Sequence, residues 1–452
     1  MKSQGLRDTG AFTRKPVHPS ATAPGNLERL TRCLNGSSNF TVPIRPKGAG
    51  TSATDCNLAS PGTSIDTTGL DRIVHIDRQN HTVTAQAGVR LGELIVALAA
   101  EGLELIGNFD QTERTLGGAI SAPCMGPGIG GQASLLSTQV ISINAVLANG
   151  KMIAVSSSQR QLLSAFRLSY GMLGVLYEVT LKVRPITTFS ASHRCTDIDT
   201  FSHVLDRLAK GNIGLKFYLL PYKNQVYLDL RHHETSSDID STCNRAWKFK
   251  SWGESTVLPN VFKSLSRIMP IPSLRYQLID SITATTQGLV NTRLLRKGNN
   301  VAAGGRHKRK RPSSLLYSTW CFPASEFSIV VKAYARFCRE QFARTAYRCD
   351  MPAVGYRVAM DNSALLSPSF DEPLIALQTL STQGRGWEDF ALELSDFAES
   401  WGGTPIFNQT LATRSEYVSQ TYSGRMESFR KIRRQLDPHN RLLNPYLARY
   451  FA

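Results

Sequence analysis

Arg45-Pro-Lys-Gly48-Ala-Gly50-Thr51-Ser52 and Thr115-Leu-Gly117-Gly118-Ala-Ile-Ser121-Ala-Pro123-Cys124-Met125-Gly126-Pro-Gly128 are the two stretches on which the fold turns. The first follows a short strand-like run, Thr41 to Pro46. Its glycines tolerate left-handed backbone, so successive N–H groups can converge on an anion, and Thr51 and Ser52 add hydroxyl donors. The second is long and poor in bulky side chains, which lets a flat ring system lie against the backbone. Neither reads GxGxxG opening a helix, so a nicotinamide Rossmann site is not supported. Neither reads GxxxxGK[ST], which argues against a phosphoryl-transfer loop.

Working outward, a strand is expected at Thr63 to Asp66 and another at His81 to Ala87, ending at Gly88. Leu91, Leu94, Ile95 and Leu98 then mark one apolar helix face. The run Gln139 to Ala148, the Asn149-Gly150 pair and Lys151 to Ser156 spell a hairpin. Val175, Tyr177, Val179, Leu181 and Val183 alternate with Glu178, Thr180 and Lys182, a strand with one buried face. The middle differs. Leu215 to Leu220 and Gln225 to Arg231 flank a Pro221–Asn224 turn, and further strands are expected at Leu315 to Phe322, Ala353 to Met360 and Leu374 to Leu380. Helices are expected at Glu326 to Arg344, Trp387 to Trp401 and Ser423 to Leu436. Strands mixed with helices and lacking repeats give an α+β chain, with an antiparallel or mixed sheet in its middle.

At 452 residues the chain exceeds what one core usually serves, so two or three domains are expected. A composition of 41% hydrophobic and 19% charged residues excludes a mostly disordered, collagen-like or multispanning protein. No apolar run spans a membrane, and Met1 to Ser20 lacks the apolar centre of a secretory signal. Eight cysteines with no CxxC pair read as free thiols, which points to a cytoplasmic enzyme. The net charge is +17, and eight positives without an acid lie between Arg293 and Arg311 around a Gly-rich loop. That segment is a solvated loop or a patch for anionic lipid or an acidic partner, so peripheral membrane association is an expectation. No reader motif accompanies it, which disfavours nucleic acid. The histidines, including the adjacent His232-His233, show no metal-ligand spacing, and no metal is expected.

The order RPKGAGTS (45–52), IDTTGLDRIVHID (65–77), TAQAGVRLGEL (84–94), TLGGAISAPCMGPG (115–128) and SYGMLGVLYEVTLKVRP (169–185) resembles the FAD-binding domain of the vanillyl-alcohol-oxidase/p-cresol-methylhydroxylase superfamily. GGTPIFNQ (402–409) and RRQLDPHNRLLNPYL (433–447) resemble the closing segment of its sugar-oxidising branch, which includes aldonolactone oxidases, alditol oxidases and decaprenylphosphoryl-ribose oxidase. The resemblance implies an arm at 1–36, an FAD-binding domain at 37–188, a substrate-binding cap at 189–408 and a closing segment at 409–452 that returns to the flavin as a strand. It places Lys47, Gly48, Ala49, Gly50, Thr51 and Ser52 on the FAD pyrophosphate. Asp110, Thr115, Leu116, Gly117, Gly118, Ser121, Ala122, Pro123, Cys124, Met125 and Gly128 then follow the ribityl chain and flavin, with Val175 near the adenine and Asn444 in the closing segment.

The departures from the family pattern carry as much. Thr51 stands where many relatives place a histidine bonded covalently to the flavin, and Met125 stands at the other common histidine position, so non-covalent FAD is expected. The branch's Glu two residues before an Arg reads Gly355-Tyr356-Arg357 here. Arg357 is expected to stabilise negative charge on reduced flavin. The family lysine falls at Gln409, which hydrogen-bonds but is no base at neutral pH. Tyr317, Tyr356 and Cys124 are the remaining candidates for catalysis. Cys124 takes the place of a small residue that controls oxygen access, which favours a dehydrogenase using a quinone or protein acceptor over a fast oxidase. The reading is hydride transfer to FAD from a CH–OH group of a polyol, sugar lactone or sugar-lipid. Natural-product tailoring and a non-catalytic flavin-binding subunit are its alternatives.

Overall fold

The computed structural model describes residues 20–35, 40–107, 109, 111–129, 134–234, 260–262, 264–265, 272–288, 293–297 and 315–452. Three sheets organise them. The first is small and parallel, in the order β1 (Ser20–Thr22), β3 (Thr63–Asp66), β2 (Ile44–Lys47). Helix α1 (Leu27–Leu34) begins at Asn26, whose side chain accepts from the Arg29 N–H at 2.9 Å. Its buried Leu30, Cys33 and Leu34 pack with Ile44 and Ile65.

The second sheet runs β4 (Ile73–Asp77), β5 (Thr82–Gln86), β9 (Val175–Pro185), β7 (Val140–Val146), β8 (Met152–Ser156), with β6 (Leu103–Leu105) on β9. β9 buries the odd-numbered residues 175 to 183 and leaves Glu178, Thr180 and Lys182 part-exposed or exposed, as its alternation dictates. Helices α2 (Leu91–Ala100), α3 (Leu116–Ser121) and α4 (Arg160–Phe166) cover it. All four apolar residues expected on the α2 face are buried.

The third sheet is antiparallel and eight-stranded: β13 (Arg293–Lys297), β10 (Thr188–Asp197), β12 (Gln225–Glu234), β11 (Gly214–Leu220), β15 (Ala353–Val358), β16 (Leu374–Ser381), β14 (Leu316–Pro323), β17 (Thr404–Pro405). Helices α5 (Ile198–Lys210), α7 (Phe327–Thr345) and α8 (Trp387–Ser400) share an aromatic core with one face of this sheet. Beside them α6 (Pro272–Gly288) buries Tyr276 and Ile279 against Phe262. The other face of the sheet shares a core with the second sheet.

The C-terminal segment departs from expectation. No strand returns there; α9 (Ser415–Leu436) and α10 (Pro445–Phe451) do, burying Met426, Phe429, Tyr450 and Phe451 in the core between the two large sheets. α9 also starts a full two turns before Ser423, where the backbone breaks (φ 30°, ψ −130°). Of the basic segment 293–311, only β13 lies among the described residues. No described helix is long and apolar enough to cross a membrane.

Candidate cofactor and active site

β2 delivers the 48–52 turn against the start of α3. The approach is so close that a Cβ on Gly48 would lie 2.1 Å from Thr115 Oγ1, and Gly50 takes φ +68°. Thr115 caps α3 by accepting from Gly118 N–H at 3.3 Å. Gly117 sits where a Cβ would meet Ala87 at 2.9 Å. These turns form one side of an open cleft lined by residues 48–52, Thr115, Gly117, Gly118, Ser121 and Ala122. Tyr170, Gly171 and Gly174–Leu176 form the other side, and Arg45 and Cys56 lie at its base. Arg45 is 1% exposed and donates to the carbonyls of Gly171 (3.2 Å), Cys56 (2.8 Å), Tyr170 and Leu442. Burial lowers its pKa to about 10, so it stays charged at neutral pH. Burial raises the Cys56 thiol, which keeps it protonated and unreactive.

The third sheet stands over this turn. Tyr317 Oη donates to Thr51 O at 2.5 Å, Ala53 N–H to Asn408 O at 2.9 Å and Thr54 Oγ1 to Phe407 O at 2.6 Å. Tyr317 therefore marks the cleft-facing side of the sheet. Thr319 shares that side and pairs with Gln378, which pairs with Val354. Two residues on, Cys321 pairs with Ala376, Ala376 with Tyr356 and Tyr356 with Lys216. Tyr356 packs against the core shared with the second sheet. Arg357 pairs instead with Ile375, which belongs to the helix-side core, and the neighbouring Gly355 lies directly under the Phe217 ring. Strand alternation thus turns Tyr356 toward the cleft and Arg357 away from it.

Residues 179–450 match the family model for D-arabinono-1,4-lactone oxidase, and residues 20–156 match a model for an FAD-binding domain. The chain belongs to the D-arabinono-1,4-lactone oxidase family. Among relatives, it is 24% identical to an L-gulono-1,4-lactone dehydrogenase of Mycobacterium tuberculosis over 90% of both chains. It is 23% identical to an L-gulonolactone oxidase of Mus musculus over 90% of this chain and 89% of that one. Among solved structures, cholesterol oxidase from B. sterolicum superposes with a TM-score of 0.75 at 13% identity, covering 96% of this chain and 94% of that one, a likeness of fold. The protein is an FAD-dependent oxidoreductase acting on CH–OH donors.

The cleft fits the cofactor of this lactone oxidase family. The glycine positions at 48 and 117 leave backbone where side chains would block it, and the buried Arg45 carries positive charge beneath the turn; no donor or acceptor meets its Nε. Several expected residues stand elsewhere. Lys47 is exposed at the end of β2, outside the lining. Leu116 is fully buried in the core, and Cys124 (1% exposed) and Met125 (4%) pack there too, beyond the cleft lining. Pro123 contributes its carbonyl, which accepts from Arg114 at 2.8 Å and from Gln409 at 3.3 Å. Gly128 abuts the third sheet at Gly214. Asp110 lies outside the described residues. Asn444 lies outside the lining as well: it caps α10 and donates to the carbonyls of Asp55 and Leu58, both at 2.8 Å, bracing the loop behind the turn. Val175 lines the cleft.

The largest correction concerns Arg357. It is half-buried on the helix side of the sheet, burial lowers its pKa, and its Nε meets no acceptor. Facing away from the cleft, it does not supply the positive charge expected beside the flavin. Gln409 is 3% exposed and fully engaged, with Nε2 on Pro123 O and Oε1 accepting from Thr319 Oγ1 at 3.0 Å. Arg45, Arg114 and Tyr170 were missed as site residues although they fall in or beside the quoted motifs. A long cationic side chain pointing inward from a strand leaves no mark in a hydrophobic pattern.

Proposed function

We propose that this chain oxidises a secondary hydroxyl of a neutral sugar-derived lactone or polyol, with FAD bound without a covalent link and an acceptor other than oxygen. The observation that carries the reading is the polar strip on the cleft-facing side of the third sheet: Tyr317, Thr319, Gln378, Tyr356 and Lys216, beside the turns that would hold the cofactor. Hydroxyl, amide and phenol groups along this face suit a ligand rich in hydroxyls better than an apolar one. FAD when bound supplies the hydride acceptor.

The chain's own residues hold the rest. Residues 48–52 bind the diphosphate through backbone N–H groups, with Arg45 charged beneath them. Gly117, Gly118, Ser121 and Ala122 border the ribityl chain, and Val175 borders the adenine. Tyr317 fixes the turn through Thr51 O. Tyr356 faces the substrate and holds its hydroxyl proton. Thr51 and Met125 cannot form the histidyl bond of other relatives, which supports dissociable cofactor. Cys124, buried and bulkier than the small residue it replaces, supports slow oxygen access. The domain division at 37–188, 189–408 and 409–452 suits the three sheets and the closing helices. A reducing, cytoplasmic setting suits seven described thiols with no disulfide among them, and the charge of 293–311 suits a salt-sensitive contact with an anionic surface.

The test is anaerobic: L-gulono-1,4-lactone and a panel of polyols are mixed with the yellow holoprotein and bleaching is followed near 450 nm. Reduction by a lactone or polyol supports the reading. A flavin that only dithionite reduces refutes it.

A further inference from the structure

We propose that Gln378 is a specificity-determining residue whose amide is locked with its carbonyl oxygen toward the substrate, where it accepts a hydrogen bond from one ring or chain hydroxyl. The proposal rests on the lactone or polyol reading above. Side-chain amides are ambiguous about which atom is oxygen, and here the protein resolves the ambiguity from a fixed starting point. Pro123 O is a backbone carbonyl and can only accept, so the Gln409 atom facing it at 3.3 Å is the donor Nε2. Gln409 Oε1 therefore accepts, and Thr319 Oγ1 spends its single hydrogen on it at 3.0 Å. With that hydrogen committed, Thr319 Oγ1 can only accept from Gln378, whose Nε2 donates to it at 3.1 Å. The far end of the chain is then an acceptor: Gln378 Oε1.

Burial keeps this polarity from relaxing. Thr319 is 0% and Gln409 3% exposed, so reversing Gln409 would set its oxygen against the Pro123 carbonyl, acceptor against acceptor, and reversing Thr319 would set its hydrogen against the Gln378 Nε2 donor. Gln378 itself is half-buried on the cleft-facing side of the sheet, between Thr319 and Val354, and no donor among the described residues reaches its Oε1. An amide is no base, so Gln378 orients a hydroxyl and takes no proton from it. Gln409 and Thr319 are positioning residues that act through it.

The experiment pairs variants with ligand groups. Steady-state and anaerobic reduction kinetics are measured with L-gulono-1,4-lactone, its monodeoxy analogues and a polyol series, for wild type, Gln378→Leu, Thr319→Val and Thr319→Ser. One deoxy analogue should cost the wild type about tenfold in kcat/KM, and the same deletion should cost Gln378→Leu less than about twofold, because the partner is already gone. Thr319→Val should share part of that insensitivity, with flavin content unchanged, and Thr319→Ser, which keeps the hydroxyl, should restore wild-type discrimination. Equal penalties in wild type and Gln378→Leu for every analogue overturn the proposal while the function stands. If no lactone or polyol bleaches the wild-type flavin, the function falls and this assignment falls with it.

Discussion

Replacing Arg45 by methionine separates the electrostatic part of cofactor binding from its shape. The side chain is fully buried, and burial lowers its pKa from the ordinary arginine range to about 10, which disfavours the charged form by roughly 3 kcal/mol, at about 1.36 kcal/mol per unit. The sign follows directly. The folded-state pKa lies below the unfolded one, so the cost is present at every pH below about 10 and is relieved only as pH climbs from about 10 toward the unfolded value. Between pH 6 and 9 the apoprotein carries the full cost, and this group adds no pH dependence there. A diphosphate in the 48–52 turn brings negative charge to that buried cation and recovers part of the cost. Arg45→Met should therefore weaken FAD about 10- to 100-fold, roughly 1.4 to 2.7 kcal/mol and within the 3 kcal/mol available. It should also weaken the fold, because carbonyls of Gly171, Cys56, Tyr170 and Leu442 lose their donor. Riboflavin, which has no phosphate, is the control. Titrating apoprotein with each flavin by fluorescence quenching should show the large loss for FAD and less than about a twofold loss for riboflavin. Equal losses for the two flavins would mean general damage to the cleft, and no loss for either would mean the cation is irrelevant; both results refute the reasoning.

Acid precipitation should release the yellow colour into the supernatant, because Thr51 offers no nitrogen for a flavin bond; colour kept in the pellet contradicts this. Cys124→Gly should raise the ratio of oxygen to artificial-acceptor turnover by about tenfold or more, at a stability cost of order 1–3 kcal/mol for the vacated core volume, and an unchanged ratio in folded protein removes the gating argument. Tyr317→Phe deletes the bond to Thr51 O, worth about 1 kcal/mol, so FAD should dissociate up to about fivefold faster in stopped-flow displacement; an unaltered rate would show that the third sheet does not clamp the turn.

The parts legible in the sequence were those with local causes. The glycine turns, the α2 face and the β9 alternation each depend on residues within a dozen positions, and each was read where it lies. β10 and α5 were not read, because Thr188–Asp197 carries Phe189 and Ala191 among serines, threonines, His193 and Arg194, and its pairing with β12 is what makes it a strand. The closing segment misled for a related reason. Its landmarks do reach the glycine turns, but through side-chain and loop bonds: Asn408 O to Ala53 N–H and Gln409 Nε2 to Pro123 O from a turn, and Asn444 Nδ2 to Asp55 O from the start of α10.

The face of β15 shows the limit of carrying a role from one sequence to another. Tyr356 and Arg357 are neighbours, and the family pattern favoured the arginine because its charge suits reduced flavin. What decides between them is the pairing register, and that is set by distant contacts: Phe217 lying over Gly355, and Tyr317 reaching Thr51 from two strands away. A one-residue slip of β15 would bring Arg357 to the cleft, but it would also place the larger Tyr356 side chain where Phe217 now lies directly over Gly355. The packing on the helix side therefore fixes which residue faces the cleft side of the sheet. The cleft-facing positions of β15 and its neighbours present Tyr356, Gln378 and Lys216, and among these Lys216 is the group whose charge suits reduced flavin. Of the five residues proposed on the polar strip, Lys216 alone carries a positive charge, and neutralising it by Lys216→Met should slow reduction of the bound flavin without altering its retention.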